Sequence, residues 1–223
     1  MHEEINIAIV DDQNLFRQSM AMLINHIDNF KLVAECAGGQ PLLDMLADGN
    51  LKVNVAIIDM DMPGMNGIEL NKLLQKQHPD IKVIILSVHV NEILVTQMIN
   101  AGAASYLAKN CDKDELILAV NTVNKTGFYF NADALKAIRK SGNHKIPAID
   151  VLNNLPVSLS EREIQVLQLV CKEYSNAEIG AELYLSARTV EGHRVRIISK
   201  INCRNTAGMV LFAIKNGLCE ILP

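Results

Sequence analysis

Short apolar runs alternate with amphipathic stretches through the first half of the chain, and the alternation then stops. INIAIV (5–10), FKLVAEC (30–36), VAII (55–58), KVIILS (82–87) and SYLA (105–108) read as strands. The VAII run is continuous rather than alternating, the pattern of a parallel strand covered on both faces. Between the strands, Phe16, Met20, Leu23, Ile24 and Ile27 recur at helical spacing, and 40–47, 67–77, 91–100 and 112–125 complete a set of helices. Five βα units predict a doubly wound α/β domain with a five-stranded parallel sheet. Right-handed crossovers then bring the carboxyl end of every strand to one edge, where open parallel sheets form their ligand crevices.

The pattern changes at GFYFNADALKAIRKSGNHKIPAIDVLNNLP (127–156), which reads as a linker with a short helix at 132–139 and a looser SGNHKIP stretch. Beyond it no strand pattern recurs. Ser160-x-x-Glu163 and Ser175-x-x-Glu178 are capping boxes, and Ser186 can cap a third helix. A two-turn helix, a brief turn at Tyr184-Leu185 and a longer helix from Ala187 make a helix-turn-helix arrangement. On that longer helix Val190, Ile197 and Ile201 define a core stripe; Arg188, Glu191, Gly192, Val195, Arg196 and Ser199 lie on the opposite face. The expected organisation is a domain at 1–127, a linker at 128–157 and a small all-α domain at 158–223.

A chain of 223 residues suits two domains of ordinary size. No apolar run approaches the roughly 18 to 20 residues of a membrane span, and the amino terminus lacks a basic segment followed by an apolar one. The expectation is a soluble, cytoplasmic protein with no membrane partner. Cys36, Cys111, Cys171, Cys203 and Cys219 are odd in number and dispersed, which suggests neither a disulfide framework nor a zinc site. Charge is uneven: residues 1–127 carry 9 Lys and Arg against 16 Asp and Glu. Residues 186–204, by contrast, hold Arg188, Arg194, Arg196, Lys200 and Arg204 against Glu191 alone, a basic flank inside a chain of net charge −4.

The candidate chemistry sits at the strand ends. Strand one ends in Asp11-Asp12, strand three in Asp59, strand four in Ser87, and strand five just before Lys109. Taken singly, each has a plain alternative: Asp59 and Asp61 as turn residues beside Pro63-Gly64, Asp11-Asp12 as a helix cap, Lys109 as a solvated loop lysine. Together, three carboxylates in one crevice call for a cation, since two like charges ~4 Å apart repel by ~4 kcal/mol at an effective dielectric of ~20. An all-oxygen set selects a hard one, most simply Mg²⁺. Lys109 and Ser87 can hold phosphoryl oxygens, and Asp59 would be the nucleophile.

IVDD (9–12), IIDMDMPGMNGIEL (57–70), ILS (85–87) and AGAASYLAK (101–109) resemble, in order and spacing, the flavodoxin-like receiver domain of two-component response regulators. The resemblance implies that Asp59 accepts phosphate from a phosphohistidine on a sensor histidine kinase. It further implies that Asp12 and Asp59 ligate Mg²⁺ with the Asp61 carbonyl while Asp11 helps through water, that Ser87 and Lys109 bind the phosphoryl group, and that Tyr106 is the aromatic whose rotation reports it. The Asp61 side chain is then not a second catalytic acid; Asp61 and His89 resemble positions that set how long the phosphate survives.

LSEREIQVLQLV, SNAEIG, LSARTVEGH and SKI are similar to the LuxR-type output domain of the NarL/FixJ class. That similarity implies a phosphorylation-controlled transcription factor, not an enzyme, acting on double-stranded DNA and pairing as a homodimer through its last helix, about 206–216. The implied DNA-facing set is Ser186, Arg188, Thr189, Glu191, Gly192, Arg194, Val195, Arg196, Lys200 and Arg204, with Arg194, Lys200 and Arg204 on phosphates. Two departures stand out: Glu191 where a basic residue is usual, and Thr206 where arginine is frequent. Two other readings remain. D-x-D after an apolar strand also resembles haloacid-dehalogenase-type phosphohydrolases, although that motif belongs on an early strand without acids upstream. The third is a DNA-binding protein or adaptor whose receiver never takes phosphate.

Overall fold

Five strands, β1 (Ile5–Val10), β2 (Phe30–Cys36), β3 (Val55–Asp59), β4 (Lys82–Ser87) and β5 (Ser105–Ala108), pair in the order β2-β1-β3-β4-β5, all parallel. The computed structural model describes residues 4–88, 92–141 and 157–219. Because side chains alternate across a strand, the sheet divides its apolar residues between two layers. Ile7, Ile9, Val55, Ile57, Ile84 and Leu86 pack with α1 (Asn14–Asn25) and α5 (Lys113–Thr126). Ala8, Val10, Ala56, Ile58 and Ile85 pack with α2 (Gly39–Ala47), α3 (Gly67–Gln77) and α4 (Glu92–Asn100). All five β3 residues are buried, which is why the sequence there lacks alternation.

The loop after β3 is drawn tightly over the sheet edge. Gly67 donates its amide to the Met60 carbonyl at 2.9 Å, and a Cβ there would stand 2.9 Å from the Met60 Cα, so only glycine permits this approach. Asn66 then caps α3 in a capping box with Glu69.

Residues 127–141, read as the start of a linker with a short helix, form that helix and are packed. Gly127 ends α5 at φ 91°, and Tyr129 pairs beside Ser105, donating its amide to Ala104 at 3.1 Å. Phe128 and Phe130 are buried, and Ala134, Ala137 and Ile138 of α6 (Ala132–Ser141) join the same core as Val95, Met98 and Ile99 of α4. Apolar residues at 128, 130, 134 and 138 have a surface to cover, and α4 provides it. The looser stretch from 142 to 156 lies outside the described residues.

The carboxyl-terminal part is helical: α7 (Glu161–Cys171), α8 (Asn176–Leu183), α9 (Ala187–Ile201) and α10 (Thr206–Lys215). Both expected capping boxes form, and the Ser186 side chain accepts from the Thr189 amide at 3.0 Å. Tyr184 turns the chain at φ 57°, while the Leu185 amide returns to the Gly180 carbonyl at 2.8 Å. A side chain at position 180 would sit 2.6 Å from the Leu185 carbonyl, so glycine sets the closeness of α8 and α9.

The two halves share an interface. Asn205 donates to the Gly102 carbonyl at 2.6 Å, Lys125 pairs with Glu178 at 3.0 Å, and the Arg194 guanidinium reaches the Thr126 carbonyl at 3.1 Å. Helix α10 packs against α4, α6, α7 and α9, and Ala207, Met209, Val210 and Ala213 are fully buried.

Candidate functional site

Strand ends build the acidic site. Asp11 follows β1 at 1% exposure, Asp59 ends β3 at 2%, and Lys109 follows β5. The Lys109 ammonium stands 2.9 Å from Asp11 Oδ2 and 2.9 Å from Asp59 Oδ2. Among the described residues those two oxygens have no other close partner. Carboxylate oxygens of Asp11, Asp12 and Asp59 all lie within 4.8 Å of one another, with Asp12 exposed to solvent. Three carboxylates against one ammonium leave the crevice two charges short of neutrality, and the donors are all hard oxygens. This set could hold a divalent metal ion.

Neighbouring groups hold the carboxylates in place. Asp11 Oδ1 accepts from the Gln13 amide at 2.8 Å, and Arg17 donates to the Asp11 carbonyl at 2.7 Å. The Asp61 amide approaches Asp59 Oδ1 at 3.4 Å, while the Asp61 side chain faces solvent. Burial pushes the Asp59 carboxyl above its ordinary pKa; Lys109 opposes that and Asp11 adds to it. Burial alone would lower Lys109, yet its bonds to Asp59 and Asp11 carry it above the ordinary lysine value. The ammonium also lies 4.8 Å from the centre of the Phe16 ring, a cation–π contact that the α1 periodicity does not reveal.

Ser87 and Tyr106 extend the site sideways along β4 and β5. Ser87 is fully buried, and the Tyr106 hydroxyl is hydrogen-bonded to it and lies 4.0 Å from Met60 Sδ. The Tyr106 ring is therefore packed inward, at 2% exposure. Burial raises its phenol above the ordinary value, against the effect of the Ser87 bond. The fold thus brings Asp11, Asp12, Asp59, Ser87, Tyr106 and Lys109 to one edge; His89 lies outside the described residues.

On α9 the expected groups part company. Ser186, Arg188, Thr189, Glu191, Val195, Arg196 and Ser199 are exposed, and Gly192 is half-buried. Arg194, expected on a phosphate, is instead 8% exposed. Its guanidinium donates to Asn176 Oδ1 at 2.7 Å, to the Thr126 carbonyl and to the Thr206 hydroxyl. Burial holds its pKa below the ordinary arginine value, with Glu191 opposing. The signal was present: 190, 194, 197 and 201 fall within one ~60° sector at ~100° per residue, so Arg194 belongs to the core stripe. Lys200, also expected on a phosphate, is bonded at 2.7 Å to Glu163, the buried capping residue of α7. Arg204 is exposed at the mouth of a cleft between α4 and α10. Asn176 further bonds the Glu191 carboxylate.

Known proteins share both halves. The family described as "Response regulator receiver domain" matches residues 7–121, and "Bacterial regulatory proteins, luxR family" matches residues 157–213. The chain is 33% identical to the transcriptional regulatory protein DegU of Brevibacillus brevis, over 99% of this chain and 100% of that protein. Identity to the response regulator UvrY of Escherichia coli K12 is 31%, over 97% and 96%. Among solved structures, the response regulator RcsB in its DNA complex superposes with a TM-score of 0.57 at 20% identity, covering 96% of this chain and 99% of that one; the likeness is one of fold.

Proposed function

The chain belongs to the two-component response regulators of the NarL/FixJ class, transcription regulators with a receiver followed by a LuxR-type domain, and from that premise we propose that Asp59 is the phosphoacceptor that governs the helix-turn-helix. The observation that carries this reading is the Lys109 ammonium held 2.9 Å from both Asp11 and Asp59 at the carboxyl edge of the sheet. A sensor histidine kinase supplies the phosphoryl group: an Asp59 carboxylate oxygen attacks phosphorus, the P–N bond to the kinase imidazole breaks, and the imidazole takes up a proton. A divalent cation, most simply Mg²⁺, held by Asp12, Asp59 and the Asp61 carbonyl with Asp11 acting through water, would supply positive charge to the phosphoryl oxygens.

The chain's own residues do the rest. Lys109 exchanges its bond to Asp59 for one to a phosphoryl oxygen, and Ser87 donates its hydroxyl to another. The new charge, about −1.5 to −2, draws on the Ser87 hydroxyl now shared with Tyr106 and so biases the packing of β4, α4 and β5. Helix α4 carries the consequence outward, because α6 and α10 pack on it.

In this arrangement α10, the helix through which two copies would pair, is covered by the receiver, and Arg194 pins α9 to the end of α5. Phosphorylation favours a state in which these contacts open, the output domains pair, and α9 enters the major groove of double-stranded DNA in the cytoplasm. Arg188, Thr189, Glu191, Gly192, Val195 and Arg196 would face the bases and near phosphates, capped by Ser186, with Arg204 and released Lys200 toward the backbone.

The test is phosphorylation with a small acyl-phosphate donor and Mg²⁺. Intact mass should rise by one phosphoryl group, labile to base and hydroxylamine. Asp59→Asn should abolish the adduct and Asp61→Asn should not; persistent labelling of the Asp59 variant would overturn the assignment.

A further inference from the structure

Two of the five cysteines, 48 positions apart in sequence, meet only in the folded chain. Cys171 closes α7 at 5% exposure, inside the core. Cys219 follows α10 and packs, partly buried, against that same core. Gln168 lies one turn before Cys171 on the same face of α7, and its side-chain amide donates to the Leu218 carbonyl at 3.3 Å. Leu218 is itself fixed: its side chain is 5% exposed, and its amide returns to the Ala213 carbonyl at 2.9 Å. With Leu218 pinned one turn away, the next residue comes to lie beside Cys171, where the two thiols influence each other's ionisation.

We propose that Cys171 and Cys219 form a reversible disulfide, an oxidation site that closes the carboxyl-terminal end of the chain onto α7. The pair is chemically unequal. The neighbouring Cys171 thiol and the charge of Arg139 on α6 hold the Cys219 thiol below its ordinary pKa against the effect of burial, while Cys171 is pushed up by its partner and by burial. Cys219 is also the more accessible sulfur. It is therefore the nucleophile and Cys171 the resolving thiol.

A peroxide is the natural oxidant class. The Cys219 thiolate attacks one peroxide oxygen, the O–O bond breaks, and hydroxide leaves, giving a sulfenic acid. Cys171 sulfur then attacks Cys219 sulfur, the S–O bond breaks, and the departing oxygen takes the Cys171 proton to leave as water. Two thiols and one hydrogen peroxide give one disulfide and two waters, with two electrons passing from sulfur to oxygen. A small disulfide reaches the same product by exchange. In a reducing compartment the bond reverts, so it acts as a signal or guard rather than a permanent staple. The closed loop spans 171 to 219 and contains α8, α9 and α10, the whole recognition unit. Oxidation constrains the unfolded chain there and restrains α10 from leaving α7.

The experiment treats the full-length reduced protein with one equivalent of hydrogen peroxide, blocks remaining thiols by alkylation, and maps peptides without reduction. The expected product is a monomer two hydrogens lighter, carrying a Cys171–Cys219 linked peptide that dithiothreitol reverses. Its denaturant midpoint should exceed that of the reduced form. Cys219→Ser should abolish both the link and the gain, Cys171→Ala should leave Cys219 to overoxidise or cross-link between molecules, and Cys203→Ser should change neither link nor gain. The proposal is overturned if folded wild-type protein keeps Cys171 and Cys219 open to alkylation while other thiols react, or if the first disulfide joins any other pair.

Discussion

Single residues decide the chemistry because their charges are few and close. Asp61 does not enter the acid cluster through its carboxylate: its amide leans on Asp59 at 3.4 Å and its side chain faces solvent. With Asp59 as the phosphoacceptor proposed above, that side chain would flank the route of water to the phosphoryl group. Asp61→Ala should therefore change the decay rate of the phosphoryl group more than the rate of its formation, by a few-fold, as read by a phosphorylation time course after removal of donor. Equal change in both rates would remove Asp61 from that role.

Glu163 gives a residue-scale prediction in pH. It caps α7 and accepts from the Ser160 amide and Lys200, and although burial opposes, these bonds hold its carboxyl below the ordinary value of 4.5. A depressed folded pKa means the stabilisation is complete above pH 4.5 and is lost as pH falls through the folded value. The Tm gap between wild type and Glu163→Gln should accordingly be constant near neutrality and shrink below pH 4.5. A gap that stayed constant through the acid range would mean that the charge of Glu163 contributes nothing to the cap.

At the scale of the element, α9 carries two faces with different tasks. Its inner stripe contains Val190, Arg194 and Ile197, all buried; its outer face presents Arg188, Glu191, Val195 and Arg196. An acidic residue in the groove accepts from cytosine N4 and repels nearby phosphate, so Glu191 should discriminate among bases. Here Asn176 bonds Glu191 and also Arg194, which fixes the carboxylate's position at the α8–α9 junction. Glu191→Lys should reorder preferences among half-site variants by about 1 to 3 kcal/mol per contacted pair in a binding panel run at several salt concentrations. A uniform gain for all sequences, without reordering, would make Glu191 a simple surface charge.

For the whole molecule, the consequence of Arg194 is conformational. A guanidinium buried against neutral oxygens from α8, α10 and the end of α5 ties the helix-turn-helix to the receiver, aided by Lys125–Glu178 and Asn205–Gly102. The carbonyl it meets is in the last turn of α5, where the helix dipole favours a cation. Loss of a charged hydrogen bond of this kind costs about 1.5 to 3 kcal/mol, enough to shift a closed state roughly ten- to a hundredfold toward open. Arg194→Met should raise binding of unphosphorylated protein to target DNA and increase amide exchange in α10. Because that variant also disturbs the output domain itself, Asn205→Ala offers a milder cut of the same interface. If both leave exchange in α10 and DNA binding unchanged, the closed contact does not restrain the output.

The strands, the helices, both capping boxes and the turn at Tyr184 were legible in the linear chain because each rests on near neighbours: period 2 or 3.6, a serine three residues before a glutamate, a glycine at a tight turn. The convergence of Asp11, Asp59, Ser87 and Lys109 was legible too, since parallel topology obliges strand ends to share an edge. What pairs with what across the chain was not. Lys200 looked like a phosphate ligand until Glu163, 37 residues away, took its ammonium, and Arg194 looked like surface charge until Thr126, 68 residues away, supplied a carbonyl. Phe128 and Phe130 read as linker until α4 supplied a surface for them and α6. The local pattern states which residues seek burial or a counter-charge; only the tertiary structure decides which distant group is within reach, because hydrogen bonds and ion pairs act over a few ångströms and sequence separation says nothing of that distance.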